Sequence, residues 1–246
     1  MSSKAAKNAK VQARAERAAE LIAEAERKRR QENLKRGAIV GVVLALVVAA
    51  AIYLSMRGSN EVVASDIGSS DYGLVVGESG APHEIVIYED FLCPICGTLE
   101  ATAGEQLTAA AAAGDVLIDY RPISILGRFG PYSGDALNAF LVVQGVAGDE
   151  VAKEFHDLLY ADQPSEEGPF PDADWLVDKA VQAGADEAAV RPGIEAGARM
   201  DDVEAATQEA SDAGVDGTPT ILLDGEPFSD GKSWEDIANN LVTAVS

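Results

Sequence analysis

The sequence predicts an α/β domain that carries a helical insertion and is preceded by a single transmembrane helix. The domain is predicted by strand-like apolar runs in its first and last parts, with a long region of helical pattern between them. The transmembrane helix is predicted by an uncharged apolar stretch near the N-terminus. The 246-residue chain, 47% of it hydrophobic, is long enough for one sizeable core besides these additions.

The apolar stretch covers residues 37–56 and contains no charged side chain. A helix of this length spans roughly 30 Å, the thickness of the hydrocarbon core of a bilayer. A buried core helix and a signal peptide cleaved near residues 49–51 are the alternatives. We favour an uncleaved anchor, because 36 residues precede the stretch and the apolar region of a signal peptide spans only about 7–15 residues.

Charge differs in sign on the two sides of this stretch. Residues 1–36 contain 11 Lys and Arg against 5 Glu, whereas residues 57–246 contain 8 Lys and Arg against 36 Asp and Glu. The positive-inside rule therefore predicts a cytoplasmic basic tail and an extracytoplasmic remainder, in a single-pass protein of the cell membrane. The net charge of -22 argues against a nucleic-acid-binding protein, which needs a basic face.

The extracytoplasmic part is predicted to begin with a small, polar linker over residues 57–70, followed by one domain over residues 71–246. A helical insertion over about residues 131–213 divides this domain, and several prolines, including Pro192, separate its helical pieces. The other predicted elements are strands over 84–88, 116–120 and 220–223, a hairpin turn at 224–225, and helices over 97–113 and about 234–245.

Both cysteines of the chain lie in one tetrapeptide, Cys93-Pro94-Ile95-Cys96, so no framework of structural disulfides can form. The pair follows a strand and begins a helix, which predicts thiol–disulfide exchange. The free N–H groups at the helix start stabilise a thiolate at Cys93. Cys96 faces the same side three residues later, where it can resolve a mixed disulfide. Pro94 suits the first helical position because that position needs no N–H.

Metal chemistry is a weaker interpretation of the pair. A structural zinc site needs four ligands, and the two histidines, His83 and His156, stand at unsuitable spacings. A covalent haem site needs a histidine directly after the second cysteine, where Gly97 stands. Inert buried thiols remain an alternative. We therefore predict no metal and no cofactor.

Three polar residues near these motifs are interpreted as structural. His156 is predicted to lie on a helix surface rather than to act as a ligand. Glu89 and Asp90 immediately precede the redox segment, and their carboxylates could assist proton transfer from Cys96. We interpret them instead as solvated charges at the end of a strand and leave them out of the predicted catalytic pair.

Three segments, YEDFLCPICG, YRPIS and Gly217-Thr218-Pro219-Thr220, resemble the DsbA-type oxidoreductases of the thioredoxin-like superfamily, over residues 71–246. The resemblance implies a thioredoxin-like fold with a helical insertion and a cis bond before Pro219, beside the cysteines. The backbone of Thr218 could then pair with an extended substrate. An ordinary trans proline at a strand start is the alternative. Ile95 departs from the family pattern, because strongly oxidising members often have His between the cysteines.

The expected function is thiol–disulfide exchange on exported proteins, with oxidase activity favoured over reductase or isomerase activity. The resemblance also implies reoxidation by an integral-membrane partner of the DsbB or vitamin K epoxide reductase type. A tethered binding module without redox activity and a metallochaperone that binds soft ions are the alternative functions.

Overall fold

The computed structural model describes residue 62 and residues 66–246 of the chain. Within this part, no helix is long and apolar enough to cross a membrane. The predicted basic tail, the predicted anchor over residues 37–56 and most of the predicted linker lie outside the described residues. The chain divides into two units, Met1–Asn60 and Glu61–Ser246, and all elements below belong to the second.

The strands of the second unit form one mixed sheet, and they are β1 (Leu74–Val76), β2 (His83–Glu89), β3 (Val116–Pro122), β4 (Thr220–Leu223) and β5 (Glu226–Pro227). Their order in the sheet is β1-β3-β2-β4-β5. The central pair, β2 and β3, is parallel, whereas β1 and β4 flank this pair in antiparallel orientation and β5 forms a hairpin with β4.

The helices of the same unit are α1 (Pro94–Leu99), α2 (Glu105–Ala113), α3 (Tyr132–Ala147), α4 (Asp149–Ala161), α5 (Ala173–Gln182), α6 (Glu187–Glu195), α7 (Met200–Asp212) and α8 (Trp234–Ala244). Helices α3 to α7 follow one another between β3 and β4, where the sequence predicts the insertion. Acidic residues cap two of them: Asp172 accepts from the N–H of Trp175 and Asp186 from that of Ala188.

Helix α6 differs from the expectation, because Pro192 lies inside it and does not separate two pieces. A proline in a helix removes one backbone hydrogen bond and is normally costly. Here the Asp186 cap and the buried side chains of Val190 and Ile194 hold the helix on the core. Tertiary packing therefore outweighs the local preference against proline.

The helix predicted over residues 97–113 also differs in detail. It begins at Pro94, and the segment Glu100–Gly104 between α1 and α2 has π-helical geometry. Gly114 ends α2 in the left-handed conformation, with φ of 84°. The redox segment thus begins an almost continuous helical rod that contains one wide turn.

Alternation along β2 directs side chains into two apolar layers on opposite faces of the sheet. Ile85 and Ile87 belong to the larger core, together with α1, α3 and α4, whereas Val86 and Tyr88 belong to a smaller one beside α7. The same alternation puts Glu89 on the face of Ile85 and Ile87. The sequence thereby carries a carboxylate into the larger core, just before the cysteines.

Candidate active site

Cys93 is the N-cap residue of α1. Its backbone is extended, and its Sγ accepts a hydrogen bond from the backbone N–H of Cys96, with 3.4 Å between the heavy atoms. A hydrogen bond from the Cys96 thiol is the main cause that lowers the pKa of Cys93 to about 6, although burial opposes it. The Thr218 side chain and the N–H groups of Cys96 and Ile95 lower this pKa further. Cys93 is therefore mostly thiolate at neutral pH.

Cys96 has the opposite character. Its side chain has no exposed surface. Burial, the hydrogen bond with the Cys93 thiol, and the negative charges of Cys93 and Glu89 raise the pKa of Cys96 well above its ordinary value. Both cysteines are free thiols in this structure. The pair therefore combines one acidic thiol with one that keeps its proton.

The loop before β4 brings Thr218 to the redox pair. The Sγ of Cys93 lies 3.3 Å from the carbonyl oxygen of Thr218 and donates to it when protonated. The Thr218–Pro219 peptide bond is cis, as the resemblance implies, and Pro219 is buried. The residues predicted as the site, Cys93, Cys96, Thr218 and Pro219, thus meet although about 125 positions separate the two segments.

A groove of about 460 Å³ opens beside Cys93. The start of α1, the loop after β3 and the loop before β4 form its walls. Apolar side chains lie next to charged ones in this groove, which suits an extended peptide of mixed sequence. The lining residues are Cys93, Pro94, Ile95, Ile125, Leu126, Arg128, Glu166, Asp216, Gly217 and Thr218.

Gln163, just after α4, holds the segment around Cys93. Its Nε2 donates to the carbonyl oxygens of Phe91 and Cys93, at 3.0 and 2.9 Å. Gly97 leaves room for this amide, because a Cβ at that position would overlap the Gln163 Oε1 atom. Gln163 was not predicted as a site residue, since its contacts span about 70 residues and no local pattern marks them.

Asp90 is a buried structural residue, so its interpretation as a solvated charge is wrong. Its carboxylate has no exposed surface. It accepts hydrogen bonds of 2.7 to 3.0 Å from the N–H groups of Leu92, Ile125 and Leu126 and from the hydroxyl of Ser133. Asp90 therefore ties the redox segment to the loop after β3, which forms one wall of the groove.

Glu89 and His156 are also buried, and both predictions of a solvated position are wrong. His156 Nε2 lies 2.6 Å from Glu89 Oε1, and His156 Nδ1 lies 2.9 Å from Asp157 Oδ1. Burial alone lowers the pKa of His156, but the charge of Glu89 and the hydrogen bonds to Asp157 and Glu89 outweigh it and raise the pKa to about 10. A signal for the burial exists, because His156 falls within the apolar helical stripe that contains Ala152, Phe155 and Leu159.

Comparison with known proteins agrees with this geometry. A family model described as Thioredoxin matches residues 69–241. No curated protein sequence matches the chain. Among solved structures, the reduced disulfide oxidoreductase DsbG of Mycobacterium tuberculosis is similar, with 26% identity and a TM-score of 0.58, over 77% of this chain and 88% of that one.

Two further solved structures have the same level of identity, 26%. Oxidised DsbA of Mycobacterium tuberculosis has a TM-score of 0.57 and matches over 71% of this chain and 100% of its own. MdbA of Corynebacterium diphtheriae, a thiol–disulfide oxidoreductase, has a TM-score of 0.61 and matches over 77% of this chain and 98% of its own. These neighbours confirm the predicted class of enzyme, a thiol–disulfide oxidoreductase. The family model covers most of the sequence, and the chain belongs to the thioredoxin family.

Proposed function

We propose that this protein is a membrane-anchored thiol–disulfide oxidoreductase that acts on exported proteins, mainly as a disulfide donor. The observation that carries the proposal is the asymmetry of the pair, in which Cys93 is acidic and lies beside a groove while Cys96 is fully buried. Only a thiolate reacts with a disulfide, so Cys93 forms the bond with the substrate and Cys96 resolves it.

In the oxidising direction, a substrate thiolate attacks the Sγ of Cys93 in the Cys93–Cys96 disulfide. The S–S bond of the enzyme breaks, a mixed disulfide forms, and Cys96 leaves and takes up a proton. A second substrate thiolate then attacks the substrate sulfur of the mixed disulfide and expels Cys93 as a thiolate. The substrate loses two electrons and the cysteine pair gains them. An acidic leaving thiol accelerates the second step, which favours oxidation of the substrate.

The acidity of Cys93 also stabilises the reduced enzyme. The pKa of this thiol falls from 9.0 to about 6, so the stabilisation is complete above pH 9 and disappears as the pH drops below 6. Relative to a thiol with the ordinary pKa, it contributes about 1.4 kcal/mol at pH 7, which raises the reduction potential by about 30 mV. This contribution supports a potential between those of thioredoxin and DsbA, about -270 and -120 mV.

Substrate binding is proposed at the groove beside Cys93. The backbone of Thr218 lies within reach of the reacting sulfur and would pair with an extended substrate segment, as in strand addition. The exposed side chain of Ile95 offers an apolar contact at the rim. Main-chain pairing tolerates many side chains, as an enzyme with varied exported substrates requires.

A trapping experiment tests the function. In the Cys96→Ala variant, the Cys93 thiolate should attack disulfides of exported proteins and stay bound as a mixed disulfide, because no thiol at position 96 can resolve it. The matched Cys93→Ala variant should trap none, because the remaining thiol at Cys96 is buried. Equilibration of the wild-type chain with glutathione measures its potential. A value at the thioredoxin end would make the protein a reductase, and a pair that never cycles would leave only a binding module.

The cellular location is proposed from the charge asymmetry around residues 37–56 and from the family resemblance. An integral-membrane partner of the DsbB or vitamin K epoxide reductase type would then take up the two electrons. To test the orientation, a reporter enzyme that works only outside the cytoplasm is fused after Ser246. The fusion should show activity of this reporter. Activity of the fusion only with a cytoplasmic reporter would contradict the proposed orientation.

A further inference from the structure

A buried cluster of two carboxylates and one imidazole lies behind the redox pair. We call Glu89, Glu100 and His156 the acid–histidine cluster. Glu89 ends β2, Glu100 begins the π-helical turn, and His156 lies in α4. One ligand atom from each of the three residues lies within 4.8 Å of the other two. We propose that this cluster binds one divalent transition-metal ion of the Zn²⁺ type. The inference does not depend on the proposed function.

Unpaired oxygen atoms point to a missing ligand in the cluster. Among the described residues, six buried side-chain atoms lack a hydrogen-bond partner. Glu89 Oε2 and Glu100 Oε1 are two of them, and the hydroxyls of Tyr120 and Tyr160, whose rings pack against His156, are two more. Glu89 and Tyr120 have no exposed surface at all. Buried polar atoms in native proteins nearly always have a partner, and carboxylate oxygens need a proton donor or a cation. A single cation would satisfy both carboxylates together.

Asp157 orients His156 as metal-bound histidines are usually oriented. Its Oδ1 lies 2.9 Å from His156 Nδ1, and its carboxylate also accepts from Lys153 Nζ at 2.6 Å. When the ion binds, it displaces the Nε2 proton of His156 to solvent while the proton on Nδ1 stays on the ring, so the Nε2 lone pair coordinates the ion. A carboxylate that accepts from the second ring nitrogen fixes the tautomer of a metal-ligating histidine and increases its basicity.

His156 Nε2 and Glu89 Oε1 lie 2.6 Å apart, and lone pairs on two atoms this close repel each other unless a cation lies between them. A proton can take this position, and so can a metal ion after a small movement of the two side chains. Nitrogen and oxygen ligands each lie about 2.0–2.2 Å from Zn²⁺, so two tetrahedral ligand atoms lie roughly 3.3 Å apart. The two side chains would need to separate by well under 1 Å.

Charge and ligand type favour a transition metal over Ca²⁺ or Mg²⁺. Once the ion has displaced the Nε2 proton of His156, the two carboxylates and the neutral imidazole carry two negative charges, which a divalent ion balances in a site where uncompensated charge is costly. Calcium and magnesium prefer oxygen ligands alone, whereas an imidazole suits Zn²⁺. Three protein ligands leave a fourth position for water or for the Tyr120 hydroxyl.

A second cavity provides a path for the ion. It has a volume of about 330 Å³ and lies between the π-helical turn, α2 and α4. Glu100 of the cluster lines this cavity, and so does Asp157, which orients His156. Glu105 adds a further negative charge to the lining. Its lining residues differ entirely from those of the groove beside Cys93, so metal entry and substrate binding would use different openings.

The test uses the full chain in detergent, stripped with a chelator and oxidised so that the Cys93–Cys96 disulfide removes both thiols as ligands. Calorimetric titration with Zn²⁺ and elemental analysis should give one bound ion per chain, together with a higher melting temperature. Ca²⁺ should bind at least about tenfold more weakly. No zinc binding up to millimolar concentration, or binding only by the reduced chain, would overturn the proposal.

A matched pair of variants locates the site. Glu100→Gln removes one charged ligand at a half-buried position, and Glu105→Gln removes a carboxylate from the same cavity, outside the cluster. Zinc affinity should fall at least about tenfold in the first variant and stay within about twofold in the second. Both variants are checked by melting temperature without metal. Equal zinc affinity in the two folded variants would mean that the ion binds elsewhere and would overturn the proposal.

Discussion

The acidity of Cys93 should depend on the thiol of Cys96, which the Cys96→Ala substitution removes. The pKa of Cys93 falls from 9.0 to about 6, a roughly thousandfold change that corresponds to about 4 kcal/mol. Burial opposes this fall, so the favourable hydrogen bonds together contribute more than that. Four such contacts act on Cys93, and the Cys96 side chain is the largest. If the four contacts contributed equally, each would account for about 1 kcal/mol. The hydrogen bond from the Cys96 thiol is the largest of the four, so it contributes at least this much.

The Cys96→Ala variant should therefore have a Cys93 pKa higher by at least about 0.7, a fivefold change in the acid constant. The backbone N–H of residue 96 still donates to Cys93 in this variant, so part of the acidity should remain. The assay is the rate of Cys93 alkylation by iodoacetamide from pH 4 to 10, with the modified site located by mass spectrometry. The wild type should give a midpoint near pH 6.

Cys96→Ser is the matched control, because its hydroxyl still donates a hydrogen bond to the Cys93 sulfur. Its midpoint should lie closer to that of the wild type than the alanine variant does. A midpoint that stays near pH 6 in Cys96→Ala would refute the reasoning and assign the acidity to the helix start. Equal shifts in the two variants would refute the hydrogen bond as the cause.

Three further predictions concern the redox potential and the supports of the site. The potential should fall by about 59 mV per pH unit below the Cys93 pKa and by about 30 mV above it, with the break near pH 6 in glutathione equilibria. Asp90→Ala should lower the free energy of unfolding of the oxidised chain in urea by about 3 kcal/mol or more, since four donors lose their acceptor, and a change below 1 kcal/mol would contradict this. Gln163→Ala should lower the free energy of unfolding by about 1–2 kcal/mol in the same assay, because it removes two hydrogen bonds. The control variant Gln182→Ala changes an exposed side chain at the end of α5 and should leave this free energy nearly unchanged.

The sequence alone predicts the redox pair, the loop at Thr218 and the helical insertion, because each has a local signal. The CxxC follows a β-branched run, Thr-Pro precedes another, and the helices have apolar stripes and acidic caps. Strand β1 was not predicted. It has only three residues, and its position depends on pairing with β3 more than 40 residues later.

The interior of the site could not be predicted from local pattern. Glu89 and Asp90 have the composition of a polar strand end, yet long-range partners bury both. Charged side chains are rarely buried without such partners, and these partners come from the loop after β3, from α3 and from α4, all later in the chain. His156 is the exception, because its position in the apolar stripe of α4 was available in the sequence.

The π-helical turn at Glu100–Gly104 affects which changes in chain length the redox helix can accept. Such a turn contains one residue more than an α-helical turn and corresponds to a one-residue insertion in a regular helix. Leu99 before it and Leu107 after it are both fully buried, so the wider turn absorbs the extra residue without turning the later side chains away from the core. Deletion of Thr102 would restore an ordinary helix with the same apolar face. A deletion within α2 would instead rotate every later side chain of that helix by about 100°. Alignments of related chains should therefore place a one-residue gap at this turn, a few positions after the second cysteine.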